Sequence, residues 1–136
     1  MAIEVKRIKF GEAAFRPGGA PNKLHEYEKG VAQANGLHSL GFHQVYLYVL
    51  VVVDSRENNQ GRLSYDGLSS EQMSIVETTV SLDHLHADVG MVVSTFVQPM
   101  DQPPLTIGAF GGSLKRAATP RAQPRRLTDW LVGVLE

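Results

Sequence analysis

The sequence predicts an α/β fold, a mixed sheet of about four strands with helices packed on it, from three observations. A weakly alternating apolar segment, Ile3 to Phe10, is followed by a helical stripe from Lys23 to about Leu40 and then by the continuous β-branched and aromatic run Val45 to Val53. Strand, helix and strand in that order make a right-handed crossover, and a strand apolar at every position is one covered on both faces, as in a parallel or mixed sheet. Composition agrees: 136 residues, 43% hydrophobic and 20% charged, with 13 basic and 14 acidic side chains, describe a globular domain and exclude a disordered or fibrous chain.

The elements follow in order. Ile3, Val5, Ile8 and Phe10 mark the first strand, and Gly11 with Arg16-Pro17-Gly18-Gly19 ends it in an exposed turn. Leu24, Tyr27, Val31 and Ala34 recur at three- and four-residue intervals, which predicts a helix with Asn22 as N-cap and Gly41 as its stop. Gln44 to Asp54 is the second strand and Ser55 to Leu68 a connection. Ser69 and Gln72 form a capping box for a helix whose stripe, Met73, Val76 and Val80 with Ile75, Thr79 and Leu82, extends as far as Gly90. Met91 to Val97 and Leu105 to Phe110 are the third and fourth strands. The glycine-rich stretch that follows is a flexible turn, and Leu127 to Leu135 is a terminal helix carrying Trp130. One domain, 1–136, is expected, its first 54 residues a βαβ unit and 55–136 an added helix, strands and C-terminal helix.

Several function classes fall away. Without cysteine there are no disulfides and no thiolate metal sites. The longest apolar run, nine residues, is too short for a membrane helix, and Glu4, Lys6, Arg7 and Lys9 break any resemblance of the N-terminus to a signal peptide. A cytoplasmic protein with no membrane partner is expected. Gly108 to Lys115 lacks the spacing of a nucleotide phosphate loop.

Glu4 and Lys6 are two residues apart on a strand, so both point to one face while Ile3 and Val5 point to the other. A carboxylate beside an ammonium can ligate a divalent cation and orient a water for attack on phosphorus, and it can equally be a plain surface ion pair. The wider pattern, Ala2-Ile3-Glu4-Val5-Lys6-Arg7, then Tyr27-Glu28-Lys29-Gly30-Val31-Ala32-Gln33-Ala34-Asn35, then Gly41-Phe42-His43-Gln44-Val45-Tyr46-Leu47-Tyr48 and a hydrophobic strand ending in Asp54, resembles the second half of the PD-(D/E)XK nuclease core. The resemblance covers about the first 54 residues and implies a restriction-endonuclease-like half core. It makes Glu4 the Mg²⁺-binding carboxylate, Lys6 the catalytic lysine and Gln33 the helix residue that reaches the phosphate or the metal-bound water. Lys29, one turn before Gln33, would contact a backbone phosphate. The family's first acidic ligand lies on the strand before Glu-x-Lys, and only three residues precede Glu4 here. Glu12, Glu26 and Glu28 are the candidate substitutes, and one carboxylate alone implies weak or absent nuclease activity.

Lys115, Arg116, Arg121, Arg125 and Arg126 fall within twelve residues that contain no acid, a candidate nucleic-acid patch or a solvated loop. Asp83, His84, His86 and Asp88 are the densest group of potential metal ligands. On a helix, however, His84 and His86 diverge by about 200°, so one ion would take only two of the four. His25, His38 and His43 read as surface or packing residues, and Tyr46, Tyr48, Phe96 and Trp130 as core. An unpaired sheet edge beside the Glu4 strand predicts a homo-oligomer. Two functions compete: a metal-dependent nuclease-like domain acting on phosphodiesters, and a non-catalytic module of the same fold that binds nucleic acid or protein.

Overall fold

A computed structural model describes residues 1–54, 68–98 and 109–135. It is an α/β structure: β1 (Ala2–Phe10), a 3-10 turn (Glu12–Phe15), α1 (Leu24–Leu40), β2 (Val45–Asp54), α2 (Ser70–Thr79), β3 (Gly90–Gln98), β4 (Ala109–Arg116) and α3 (Arg125–Leu135). The four strands form one mixed sheet in the order β1-β2-β3-β4, the first three parallel and β4 antiparallel to β3. Two successive crossovers that step the same way across a sheet, both right-handed, place their helices on the same face. The sheet is accordingly helix-covered on one side. That side carries the fully buried Ile8, Phe10, Val45, Leu47, Val49, Val51 and Met91, with Val76 of α2 and Val80 just past its end packed into the same core.

Period two makes the register a map of both faces. On the covered face Lys6, Val49 and Val93 lie in one row and Ile8, Val51 and Thr95 in another. On the opposite face Val5, Tyr48, Val92 and Leu114 form a row, and Lys9, Val52, Phe96 and Phe110 form a second. No described helix covers this second face. Ile3, Val5, Phe110 and Leu114 are exposed there, and Tyr46, Tyr48 and Phe96 are half-buried, so these aromatics lie on the open side of the sheet instead of in its core.

Four expectations are corrected. The first helix begins at Leu24 with Lys23 as N-cap in the left-handed region (φ 64°), one residue past Asn22, whose backbone is held in a short antiparallel bridge by the bond from its amide to the Lys9 carbonyl. The second helix ends at Thr79, not Gly90. The Thr78 and Thr79 hydroxyls turn back to the Ser74 and Ile75 carbonyls, Val80 leaves helical geometry, and the backbone beyond it bonds to α1. The fourth strand covers Gly111, Gly112 and Ser113, where a flexible turn was expected, because pairing with β3 supplies the ladder bonds that glycine's own preference does not favour. Residues 105–108 of the expected strand lie outside the described residues. Trp130 is 60% exposed on α3, which touches the body of the chain mainly through an apolar groove with Leu37, Leu40 and Phe42.

Candidate functional site

Glu4 and Lys6 share a face, as period two requires, and that face is the one under α1. Their side chains form a 3.0 Å ion pair and are largely shielded, 20% and 16% exposed. Gly30 makes the room. A Cβ there would sit 2.5 Å from Lys6 Cγ and 3.2 Å from Leu47 Cδ1, so only glycine lets the helix pass this close over the lysine stem. Within the described sheet β1 is an edge, and its outer side is closed only at the Asn22 bridge.

Gln33, one turn beyond Gly30 on α1, is exposed. Lys29 is paired with Glu26 at 3.2 Å. That hydrogen bond holds the Glu26 carboxyl below its ordinary range, with smaller pulls in the same direction from His25 and Lys6. Glu12 is taken up by Arg16 at 2.7 Å and Glu28 is exposed.

The donor set at Glu4 does not suit Mg²⁺. That ion is usually bound through carboxylates together with waters and substrate phosphates. Glu4 offers one carboxylate already engaged by an ammonium, and no group of three possible ligands gathers around it among the described residues.

The basic stretch is divided by the fold. Lys115 reaches Glu77 of α2 at 2.7 Å. Arg116 donates to the carbonyls of Leu85, His86 and Val89, and Arg121 to those of Phe42 and His38. Lys115 thus ties β4 to α2, while Arg116 and Arg121 bind the loop before β3 and the end of α1 to the C-terminal segment. Arg125 and Arg126 remain exposed at the start of α3.

The expected metal-ligand group is also rearranged. Because α2 stops at Thr79, His84 and Asp88 do not share a helix face, and His84 is exposed. His38, expected as a surface or packing residue, is buried at the end of α1, and its ring stacks on His86 with centroids 4.0 Å apart. Asp88 lies 3.6 Å from His38 Nε2 and 3.9 Å from His86 Nδ1. Burial, then Arg121 and His86, push His38 below the ordinary imidazole range, against the opposing pull of Asp88. This trio spans fifty residues of sequence. Its only sequence signal was the density of His and Asp at 83–88, which cannot reveal a third member on another helix.

Compared with known protein families, curated proteins and solved structures, the chain finds no match.

Proposed function

We propose that the chain is a nuclease-like half core, in which Glu4 and Lys6 form part of a phosphodiester site completed across the outer edge of β1. One observation carries this reading. The acid and the lysine are paired on the helix-facing side of an edge strand whose following helix and parallel strand repeat the order of the nuclease core. Lys6 supplies a cation held in place by the glycine contact with α1, suited to a phosphate oxygen or to orienting a water. Gln33 has its amide free for solvent or substrate on the same helix. Since Glu4 alone does not hold Mg²⁺, a further carboxylate has to come either from Glu26, released from its pair with Lys29, or from a strand added at the β1 edge.

The test pairs binding with cleavage. Labelled single-stranded DNA, duplex DNA and RNA are titrated at low salt without metal, then incubated with Mg²⁺ or Mn²⁺, using wild type, Glu4→Ala and Lys6→Ala. At least one oligonucleotide is expected to bind, and Lys6→Ala to weaken it and lower the salt slope by about one. Cleavage by the chain alone is expected to be weak or absent, since loss of several kcal/mol of transition-state stabilisation costs about a thousandfold or more in rate. Any metal-dependent cleavage should vanish in both variants. Failure to bind every oligonucleotide, or cleavage indifferent to both substitutions, overturns the reading.

A second reading, a protein-binding module that self-associates, is favoured by the uncovered sheet face. A four-stranded face about seven residues long spans on the order of 400 Å², from strand spacings of about 4.8 Å and a rise of about 3.3 Å per residue. Two such faces packed together bury on the order of 800 Å², the size of a weak, transient association. The occupant this favours is a second copy of the chain.

A further inference from the structure

We propose that His38, His86 and Asp88 form a binding site for a zinc-class divalent transition-metal ion that fastens the loop before β3 to the C-terminal turn of α1. One ligand atom from each residue lies within 4.8 Å of the other two, a spacing that allows all three to reach one central ion. Two imidazoles and one carboxylate are a donor set that Zn²⁺ and its neighbours take readily and that Mg²⁺ does not prefer, and three protein ligands leave a position for water.

A second observation points to a ligand. His38 is 9% exposed, and its Nε2 is shut off from solvent without a hydrogen-bond partner, facing Asp88 across 3.6 Å. A buried polar atom left unpaired is costly, and an ion bound by the trio would satisfy it once the stacked rings turn to aim their nitrogens at it.

The ligand-bearing backbone is already pinned from several sides, which is what a metal site requires of its support. Asn35 of α1 accepts from the His86 amide at 2.8 Å through Oδ1 and donates to the His84 carbonyl at 2.9 Å through Nδ2. Arg116 holds the His86 carbonyl at 2.6 Å, and the Thr119 amide holds that of Asp88 at 2.9 Å. Arg121 holds the carbonyl of His38 itself. All three ligands are thus fixed at the main chain, and only short side chains need to adjust. The Asp88 amide donates to His86 Nδ1 at 3.2 Å, so an ion binding that nitrogen displaces this contact, while one binding Nε2 leaves it intact. The two guanidinium groups nearby oppose a second cation, which places the expected affinity on the order of micromolar rather than nanomolar.

The experiment uses the full chain stripped with EDTA and dialysed, then titrated with Zn²⁺ by calorimetry and with Co²⁺ by visible absorption. Saturable binding of one ion per chain is expected, together with a rise in melting temperature on adding Zn²⁺. His38→Gln, His86→Gln and Asp88→Ala should each weaken binding about tenfold or more, and the exposed neighbour His84→Gln should leave it unchanged. Should a ligand variant fail to fold, X-ray absorption of the Zn²⁺-loaded wild type decides the matter by showing two imidazoles or not. No binding by the wild type up to about 100 times a micromolar Kd, binding indifferent to His38→Gln, or an absorption spectrum without imidazole ligands overturns the proposal.

Discussion

The two faces of the sheet carry nearly equal amounts of apolar side chain and have opposite fates. Leu47, Val49, Val51, Val93 and Val97 of β2 and β3 are closed under α1 and α2, whereas Val5, Phe110 and Leu114, on the opposite face of the edge strands β1 and β4, are more than half exposed. A strand is apolar on both sides because its position in the sheet calls for two layers, and the described residues provide only one of them. Apolar content therefore says that a surface is to be covered; the direction in which the crossovers step decides which side the chain covers for itself.

The sharpest way to break this comparison is to cut equally into each face. Leu47→Ala, in the fully buried centre of the covered side, is expected to cost about 2–5 kcal/mol of unfolding free energy in denaturant titration, from lost transfer energy plus the residual cavity. Phe110→Ser and Val5→Ser on the open side should each leave monomer stability within about 0.5 kcal/mol. If instead both faces prove equally costly, the open face is covered in solution, and the concentration dependence of the melting curve identifies the cover as a second copy.

Tyr27 tests how tightly α1 seals the covered side. Its hydroxyl donates to the Ser81 carbonyl, and burial, with Asp83 nearby, raises its pKa from 10.0 to about 12. The folded state keeps this proton at a pH where the unfolded chain has released it. The contribution is therefore whole below about pH 10 and is lost as pH rises towards about 12, for a total of about 2–3 kcal/mol at roughly 1.4 kcal/mol per unit. The difference between wild type and Tyr27→Phe, followed by urea unfolding across that window, isolates it.

Gly30→Ala sharpens the comparison at the candidate site. The added methyl meets Lys6 Cγ and Leu47 Cδ1, so α1 has to lift from β1 at an expected cost of about 1–3 kcal/mol, with loss of whatever oligonucleotide binding depends on Lys6. Gly36→Ala, on the same helix with open space around its Cα, should be neutral or slightly stabilising.

The smallest effects are at the two open elements. Ser69→Ala removes the N-cap of α2, whose hydroxyl accepts from the Gln72 amide at 3.2 Å, and should cost about 1 kcal/mol. Trp130→Ser on α3 should not change monomer stability measurably.

By itself the sequence determined what is local. The Ile3–Phe10 and Val45–Val53 runs, the Leu24-Tyr27-Val31-Ala34 stripe, the Ser69–Gln72 capping box and the shared face of Glu4 and Lys6 all follow from periods of 2 and 3.6 and from one side chain reaching three residues along. The tertiary structure decided what depends on a distant partner. Asn22 was held in a bridge to Lys9, the 80–89 segment left the helix to bond Asn35, and Gly111-Gly112 became a strand because β3 offered an edge. It also decided that Lys115, Arg116 and Arg121 serve the fold, and that His38 meets His86 and Asp88. The reason is the same in each case. A backbone or imidazole group can be satisfied by several partners of similar strength, and which one it takes depends on what folding brings within about 3 Å, a distance that sequence spacing does not encode once the partners lie on different elements.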